Sequence, residues 1–416
     1  MLIEYSITNY RSVREECKLS MEAYVRDKKR KEIIRTEGKI KVLPVVGIYG
    51  PNASGKTTIL NSLRELQALV TGSDTLLKKK KLGPFHFRFD DVSESSPTRW
   101  KIKFTNGKHY RYDLSVKDGA VSEEILHIVG EGDVFHRIHD RVECGGSVGD
   151  DDRRKIEFIM EMTGENTLLL SKCESSNVNT VSEAYDWFDS KLMMMRSMWY
   201  EPHLEEMIDA LSEYHDRIID MLSEADFGIS DVTVKKKNIP REAISDKDFK
   251  SLMRAMVKDD GEPLIAYESN VMHSIVNDGE EKEYPLNIRM ESDGTKKMLF
   301  LTIQWLEAIK NGGLIVMDEF DSNLHPLLVD YLFESIADPA INTNGAQMIF
   351  TAHDAMIVKR NDMRRDQVWF TSRDPRVGTT ELYSWLDYGV RPDLEFPDNY
   401  LDGRFGAIPI IRRREP

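Results

Sequence analysis

The stretch VVGIYGPNASGKTTIL, Val45 to Leu60, constrains this chain more than any other segment. An apolar, β-branched run leads into a loop matching G-x-x-x-x-G-K-[ST], and an amphipathic pattern with Ile59, Leu60, Leu63, Leu66 and Leu69 on one face follows. Strand, glycine-bounded loop and helix in that order form a phosphate cradle. Gly50 and Gly55 let the backbone curl, so that amides around Asn52, Ser54 and Thr58 turn inward toward phosphate oxygens at the positive end of a helix. Lys56 is the expected counter-charge for the β- and γ-phosphates, and the Thr57 hydroxyl the expected Mg²⁺ ligand.

A phosphate loop needs partners, and three lie downstream. In GGLIVMDEFDSNLHP a second apolar strand, Leu314 to Met317, ends at Asp318-Glu319. At the C-terminal end of a buried parallel strand Asp318 is placed for Mg²⁺, and Glu319 for polarising the attacking water. In AQMIFTAHDAM another apolar strand ends near His353, an imidazole suited to sense a γ-phosphate. Ser292 and Gly294 precede a long helical pattern through Met298, Leu299, Leu301, Ile303, Trp305, Leu306 and Ile309, a second helix start suited to grip phosphate.

Composition bounds the rest. With 416 residues and 40% hydrophobic content the chain is globular, of two or three folding units. It lacks a membrane-length apolar run and a signal-peptide pattern, so the expected location is the cytoplasm and no membrane partner is expected. Cys17, Cys144 and Cys173 are too few and scattered for a disulfide framework or metal site. A formal net charge of −14 disfavours nucleic acid as a ligand over the whole surface. The dense basic runs, Lys78 to Lys81 and Lys235 to Lys237, read as solvated loops. No N-K-x-D segment for guanine is present, which argues against a GTPase.

Taken in order, the loop, the Ser-x-Gly helix start, the Asp-Glu strand, the DSNLHP turn and the strand before His353 resemble the ATPase head of the ABC superfamily. That resemblance implies an α/β fold, a P-loop ABC-type ATPase head with an antiparallel β lobe and a helical insertion. It implies ATP and Mg²⁺ as cofactors, and two copies clamping two ATP molecules, each P-loop facing the other copy's Ser292 and Gly294. Asp321 to His325 then match the D-loop. The opening MLIEYSITNYRSV, with RRDQVWFTSRD and YLDGRFGAIP near the end, resembles a bacterial group of AAA-type ATPases found in anti-phage defence and abortive-infection operons. The implied function is an ATPase that dimerises, or forms a larger oligomer, on ATP and controls a separate effector such as a nuclease. The residues after His353 are too few for an appended domain of roughly 100 residues, so the nuclease is expected on another polypeptide. An ATPase acting directly on nucleic acid in repair or chromosome maintenance is the alternative, but the chain shows neither a basic groove nor long heptad arms. A nucleotide-dependent scaffold with negligible turnover is a third reading.

This chain departs from the ABC pattern in two places. No glutamine occurs between Gln67 and Gln304, so the lobe-joining glutamine is missing and Ser171 is a weak candidate to replace it. Asp293 stands where a glycine is usual, and its carboxylate must point outward to be compatible with phosphate.

The expected organisation is residues 1–175 as the N-terminal part of the head, 176–284 as a mainly helical insertion, and 285–416 as the C-terminal part. Asn106-Gly107 and Asp118-Gly119 signal hairpins between alternating segments. Residues 131–153 read as a loop, in which His136 and His139 lack a third metal ligand. Residues 181–224 read as helical. Met193, Met194, Met195 and Met198 with Trp199 are expected in core packing, with a pliable partner surface as the alternative.

Overall fold

The computed structural model describes residues 1–75, 80–195, 204–224, 228–239, 264–277, 280–388 and 396–408. The chain divides into two compact units, Met1–Ser197 with Glu307–Pro416, and Met198–Leu306.

The first unit is built on two sheets. Val45–Tyr49 is buried at every position and lies inside a six-stranded sheet. Gln347–Thr351 flanks it on one side, followed by Leu314–Met317 and Leu192–Met195, and Val368–Arg373 flanks it on the other, all parallel to their neighbours. Thr380–Ser384 closes that far edge antiparallel. Strands buried on both faces read as continuous apolar runs, which is why Val45–Tyr49, Leu314–Met317 and Gln347–Thr351 are legible in the sequence.

A seven-stranded antiparallel sheet runs in the order Arg141–Cys144, Gly132–Ile138, Ala120–Ile128, Lys108–Lys117, Thr98–Asn106, Leu2–Thr8, Cys17–Ser20. Its hairpins turn at Gly107 and at Asp118-Gly119, as the sequence predicts. Helix Lys56–Gly72 buries Ile59, Leu60, Leu63, Leu66 and Leu69 in one core with residues of both sheets. Ser62 on this helix lies 2.6 Å from the Tyr5 hydroxyl, and its carbonyl accepts from Trp100 Nε1 at 2.9 Å, pinning the antiparallel sheet to the helix.

Several expectations change. Residues 131–153 are not one loop: they hold strands Gly132–Ile138 and Arg141–Cys144 and the start of helix Asp150–Met162. The turn-forming residues are confined to tight connections, such as His139 with φ of 53°. His136 Nε2 faces Glu123 Oε1 at 2.9 Å across the sheet. Leu192–Met195 is a strand, because pairing with the buried Leu314–Met317 overrides the helical preference of the methionines. Met195 is buried there, whereas Met198 and Trp199 lie outside the described residues. Lys80 and Lys81 lie in irregular exposed chain, and Lys78 and Lys79 lie outside the described residues.

A buried ion pair stiffens the antiparallel lobe. Glu124 and Arg137 are 0% and 1% exposed with a separation of 3.5 Å. The Glu124 carboxylate also accepts from the backbone N–H of Leu169 at 2.7 Å, from that of Leu170 at 2.9 Å, and from the Tyr112 hydroxyl at 2.9 Å. Arg137 donates to the carbonyls of Thr167, His139 and Gly164. Glu124→Ala leaves a buried guanidinium without its counter-ion and orphans three donors, so a loss of about 3–5 kcal/mol is expected in urea unfolding. A loss below about 1 kcal/mol, the worth of an exposed pair, would contradict this account of the lobe.

The second unit, by itself, holds helix Leu204–Glu224 and a three-stranded antiparallel sheet of Ile229–Ile239, Leu264–Asn277 and Glu280–Asn287. Over residues 176–284 the chain is therefore mixed, not mainly helical. Lys235 to Lys237 lie in the first of these strands and not in a loop, with Lys235 opposite Glu268 in register, where unlike charges tolerate close pairing.

Candidate functional site

The P-loop follows Tyr49 with left-handed backbone at Gly50, Ala53 and Gly55, φ 154°, 63° and 111°. A Cβ on Gly50 would stand 2.5 Å from the Thr371 carbonyl oxygen, and one on Gly55 would strike the Thr380 side chain. Only glycine fits at either position. Helix Lys56–Gly72 starts at Gly55 without a side-chain cap, so its first-turn N–H groups remain available to an anion.

Hydroxyl groups from the hairpin Val368–Ser384 brace the loop. Ser54 Oγ lies 2.6 Å from Thr371 Oγ1, while Thr380 Oγ1 donates to the Ser54 carbonyl at 3.0 Å and lies 2.9 Å from Ser12 Oγ. Ser12 in turn donates to Thr58 Oγ1 at 3.3 Å.

Asp318 and Glu319 follow strand Leu314–Met317 and are held from the neighbouring strand by Thr351. Its hydroxyl donates to Asp318 Oδ1 at 2.5 Å and accepts from the Glu319 N–H at 2.8 Å. Glu319 has φ of 51°, a conformation that is strained for a residue with a side chain. Asp321 Oδ2 accepts from the N–H groups of His353 at 2.9 Å and Asp354 at 2.8 Å, tying the turn after Glu319 to the His353 turn. His325 caps helix Pro326–Ala337.

These groups converge on one pocket of about 470 Å³, lined by Arg11, Ser12, Pro51 to Thr58, Asp318, Glu319, His353 and Arg373. Asn52, Ser54, Gly55, Lys56, Thr57 and Thr58 are therefore together with the downstream carboxylates and the histidine. Gly50 contributes through its carbonyl, which accepts from Lys56 Nζ at 2.6 Å, with the Pro51 carbonyl at 3.3 Å. Burial pushes the Lys56 ammonium below its ordinary pKa, against the opposing pull of Asp318, Asp321 and Glu319. A nucleotide phosphate would add charge of the sign this buried cation attracts.

The Thr57 hydroxyl and the Asp318 carboxylate are hard oxygen donors on the same pocket, a set that fits Mg²⁺ completed by water and substrate phosphate. Among the described residues no group of three or more His, Cys, Asp and Glu stands ready as an all-protein metal cage.

Ser292 and Gly294 belong to the other compact unit. There Ser292 Oγ accepts from the Thr295 N–H at 3.1 Å at the start of helix Asp293–Asn311. The Asp293 side chain is 89% exposed and 3.4 Å from Lys296 Nζ, so it does point outward.

Ser171 does not take the place of the missing glutamine. It is buried against the C-terminal end of the P-loop helix, bonded to the Val70 carbonyl and 3.0 Å from Ser73 Oγ. Gln67, Gln347 and Gln367 spend their amide N–H groups on backbone carbonyls.

Sequence reasoning missed Arg11, Ser12 and Arg373 as lining residues, and Thr351, Thr371 and Thr380 as supports. Lone arginines and threonines carry no spacing signal. Only the position of NYRS after the first strand and of TSRD at the end of an apolar run hints at them.

A family model described as "AAA domain, putative AbiEii toxin, Type IV TA system" matches residues 45–359. No curated protein matches. Among solved structures, the Smc head bound to the C-winged helix domain of ScpA aligns with a TM-score of 0.44 and 11% identity, covering 92% of this chain and 97% of that one. The Smc head domain from Thermotoga maritima gives 0.41 and 11%, covering 92% and 98%. The Smc head with an extended coiled coil, bound to the C-terminal domain of ScpA derived from Pyrococcus furiosus, gives 0.44 and 11%, covering 92% and 96%.

Proposed function

Because the chain belongs to this AAA-domain family, whose model runs from Val45 to Lys359, we propose that it binds Mg-ATP on the Gly50–Thr58 loop, hydrolyses it, and pairs with a second copy while ATP is bound. Pairing holds or releases a separate effector protein. The words toxin and TA system in the family description support a setting in defence or toxin control.

One observation carries the ATPase reading: a single pocket collects Lys56, Thr57, Asp318, Glu319 and His353 from three adjacent strand ends. Lys56 and the uncapped helix start bind the phosphates. Mg²⁺, held by Thr57 and Asp318, would neutralise charge between the β- and γ-phosphates. Glu319, oriented through its backbone by Thr351, accepts the proton of the attacking water, and His353, held by Asp321, senses the γ-phosphate. The head comprises the first and last segments of the chain, with an insertion between them, and Ser292 and Gly294 serve the ATP of the second copy.

Mixing Lys56→Ala chains with Ser292→Arg chains tests that sharing. Each heterodimer carries one composite site with neither change and one site with both, so ATP binding should return to about half of the sites. Heterodimers that form and bind no ATP would rule out shared sites.

A further inference from the structure

We propose that Arg373 is a nucleotide-binding residue that grips the phosphate nearest the nucleoside, the α-phosphate, an inference that rests on the ATP reading above. Strand order gives the direction. The P-loop strand Val45–Tyr49 lies between Gln347–Thr351, which leads to His353, and Val368–Arg373. Asp318, Glu319 and His353 therefore all stand on one flank of the loop, and Arg373 stands on the other. A triphosphate whose γ end meets the carboxylates and histidine lays its opposite end toward Arg373. On that flank the helix start presents Thr58, which is tied to Ser12 and through it to Thr380 of the same hairpin as Arg373.

The guanidinium is prepared for an anion. Arg373 Nε donates to the Gly378 carbonyl at 3.0 Å across the turn, and Cζ lies 5.7 Å from the centroid of the Phe89 ring. One N–H and one face are thus fixed by the protein. Among the described residues neither Nη group has an acceptor or a carboxylate partner, although the side chain lines the P-loop pocket. A cation that is oriented but unpaired has already lost much of its rotamer freedom, so an incoming phosphate gains charge-assisted bonds at reduced entropic cost. Arg373 thus has an aromatic face and a carbonyl in place of a carboxylate.

Calorimetry of the full chain with Mg-ATP, inorganic triphosphate and inorganic pyrophosphate tests the assignment. Pyrophosphate spans only the β and γ positions. Arg373→Gln should weaken ATP and triphosphate by the same factor, roughly 10-fold to 100-fold, and leave pyrophosphate within about 2-fold. Arg373→Lys should not restore affinity, because an ammonium on a flexible stem lacks the planar fork held by Gly378 and Phe89. Thermal midpoints without ligand should match the parent, since the side chain is exposed. Equal affinity of Arg373→Gln and parent for ATP would overturn the proposal, as would a loss confined to ATP, which marks a base contact, or a loss shared by pyrophosphate. Parent protein that binds no ATP, or Lys56→Ala that binds it normally, would instead overturn the P-loop reading.

Discussion

Lys56→Ala is expected to bind no ATP at concentrations that saturate the parent. Lys56 is 6% exposed, and among the described residues its ammonium has only the Gly50 and Pro51 carbonyls as hydrogen-bond acceptors. Asp318, Asp321 and Glu319 are the nearby charges that hold it protonated. Alanine removes the cation and leaves those carboxylates facing the phosphates, so attraction turns to repulsion. A loss of about 3–5 kcal/mol, roughly a hundredfold to several thousandfold in affinity, follows from taking away one side of a largely desolvated charge pair. Because burial already works against the charged form of Lys56, the nucleotide-free variant should unfold no earlier than the parent. Calorimetric titration with Mg-ATP decides the matter, and unchanged affinity would refute the assignment of this loop.

Glu319→Gln should separate binding from chemistry. Glutamine keeps the size of the side chain and leaves the backbone N–H on Thr351, 2.8 Å away. It removes the carboxylate that takes a proton from water. ATP binding should persist within a few-fold while turnover falls by about 100-fold or more, the contribution of a general base. Asp318→Asn should differ. Asp318 is bonded to Thr351 and shares the pocket with Thr57, so its charge bears on Mg²⁺ and on the bound state itself. That variant should lose affinity as well as turnover. Parent-like hydrolysis in Glu319→Gln would remove Glu319 from the chemistry.

What the sequence made legible follows from how local each signal is. Val45–Tyr49, Leu314–Met317 and Gln347–Thr351 read as buried strands because parallel strands covered on both faces are apolar at every position. Lys56, Asp318, Glu319 and His353 could be named because each follows such a strand directly or within a few residues. Asn106-Gly107 and Asp118-Gly119 marked their hairpins by turn chemistry alone. Leu192–Met195 could not be read as a strand, since its partner Leu314–Met317 lies over a hundred residues away and the methionines favour helix. Residues 131–153 misled through composition: Gly, Asp and Glu sit in tight turns, while Val134, Phe135 and Arg137 are buried. Arg373 and Thr380 were missed for a third reason, because they reach the P-loop only when the hairpin Val368–Ser384 folds back against it.

The insertion shows the same limit. Helix Leu204–Glu224 is amphipathic and was legible, but the strands Ile229–Ile239 and Glu280–Asn287 are largely polar and gain their structure by pairing with Leu264–Asn277. Polar alternation carries little signal until a partner strand is known.

In the proposed cycle ATP pairs two heads and hydrolysis parts them. Light scattering on Glu319→Gln, with and without Mg-ATP, tests this most directly, because the substitution holds the bound state before chemistry. The account predicts that the molar mass doubles on adding Mg-ATP, and that the double variant carrying Lys56→Ala as well shows no change. ATP binding by Glu319→Gln without any change in molar mass would contradict the claim, leaving a nucleotide-binding head that does not pair.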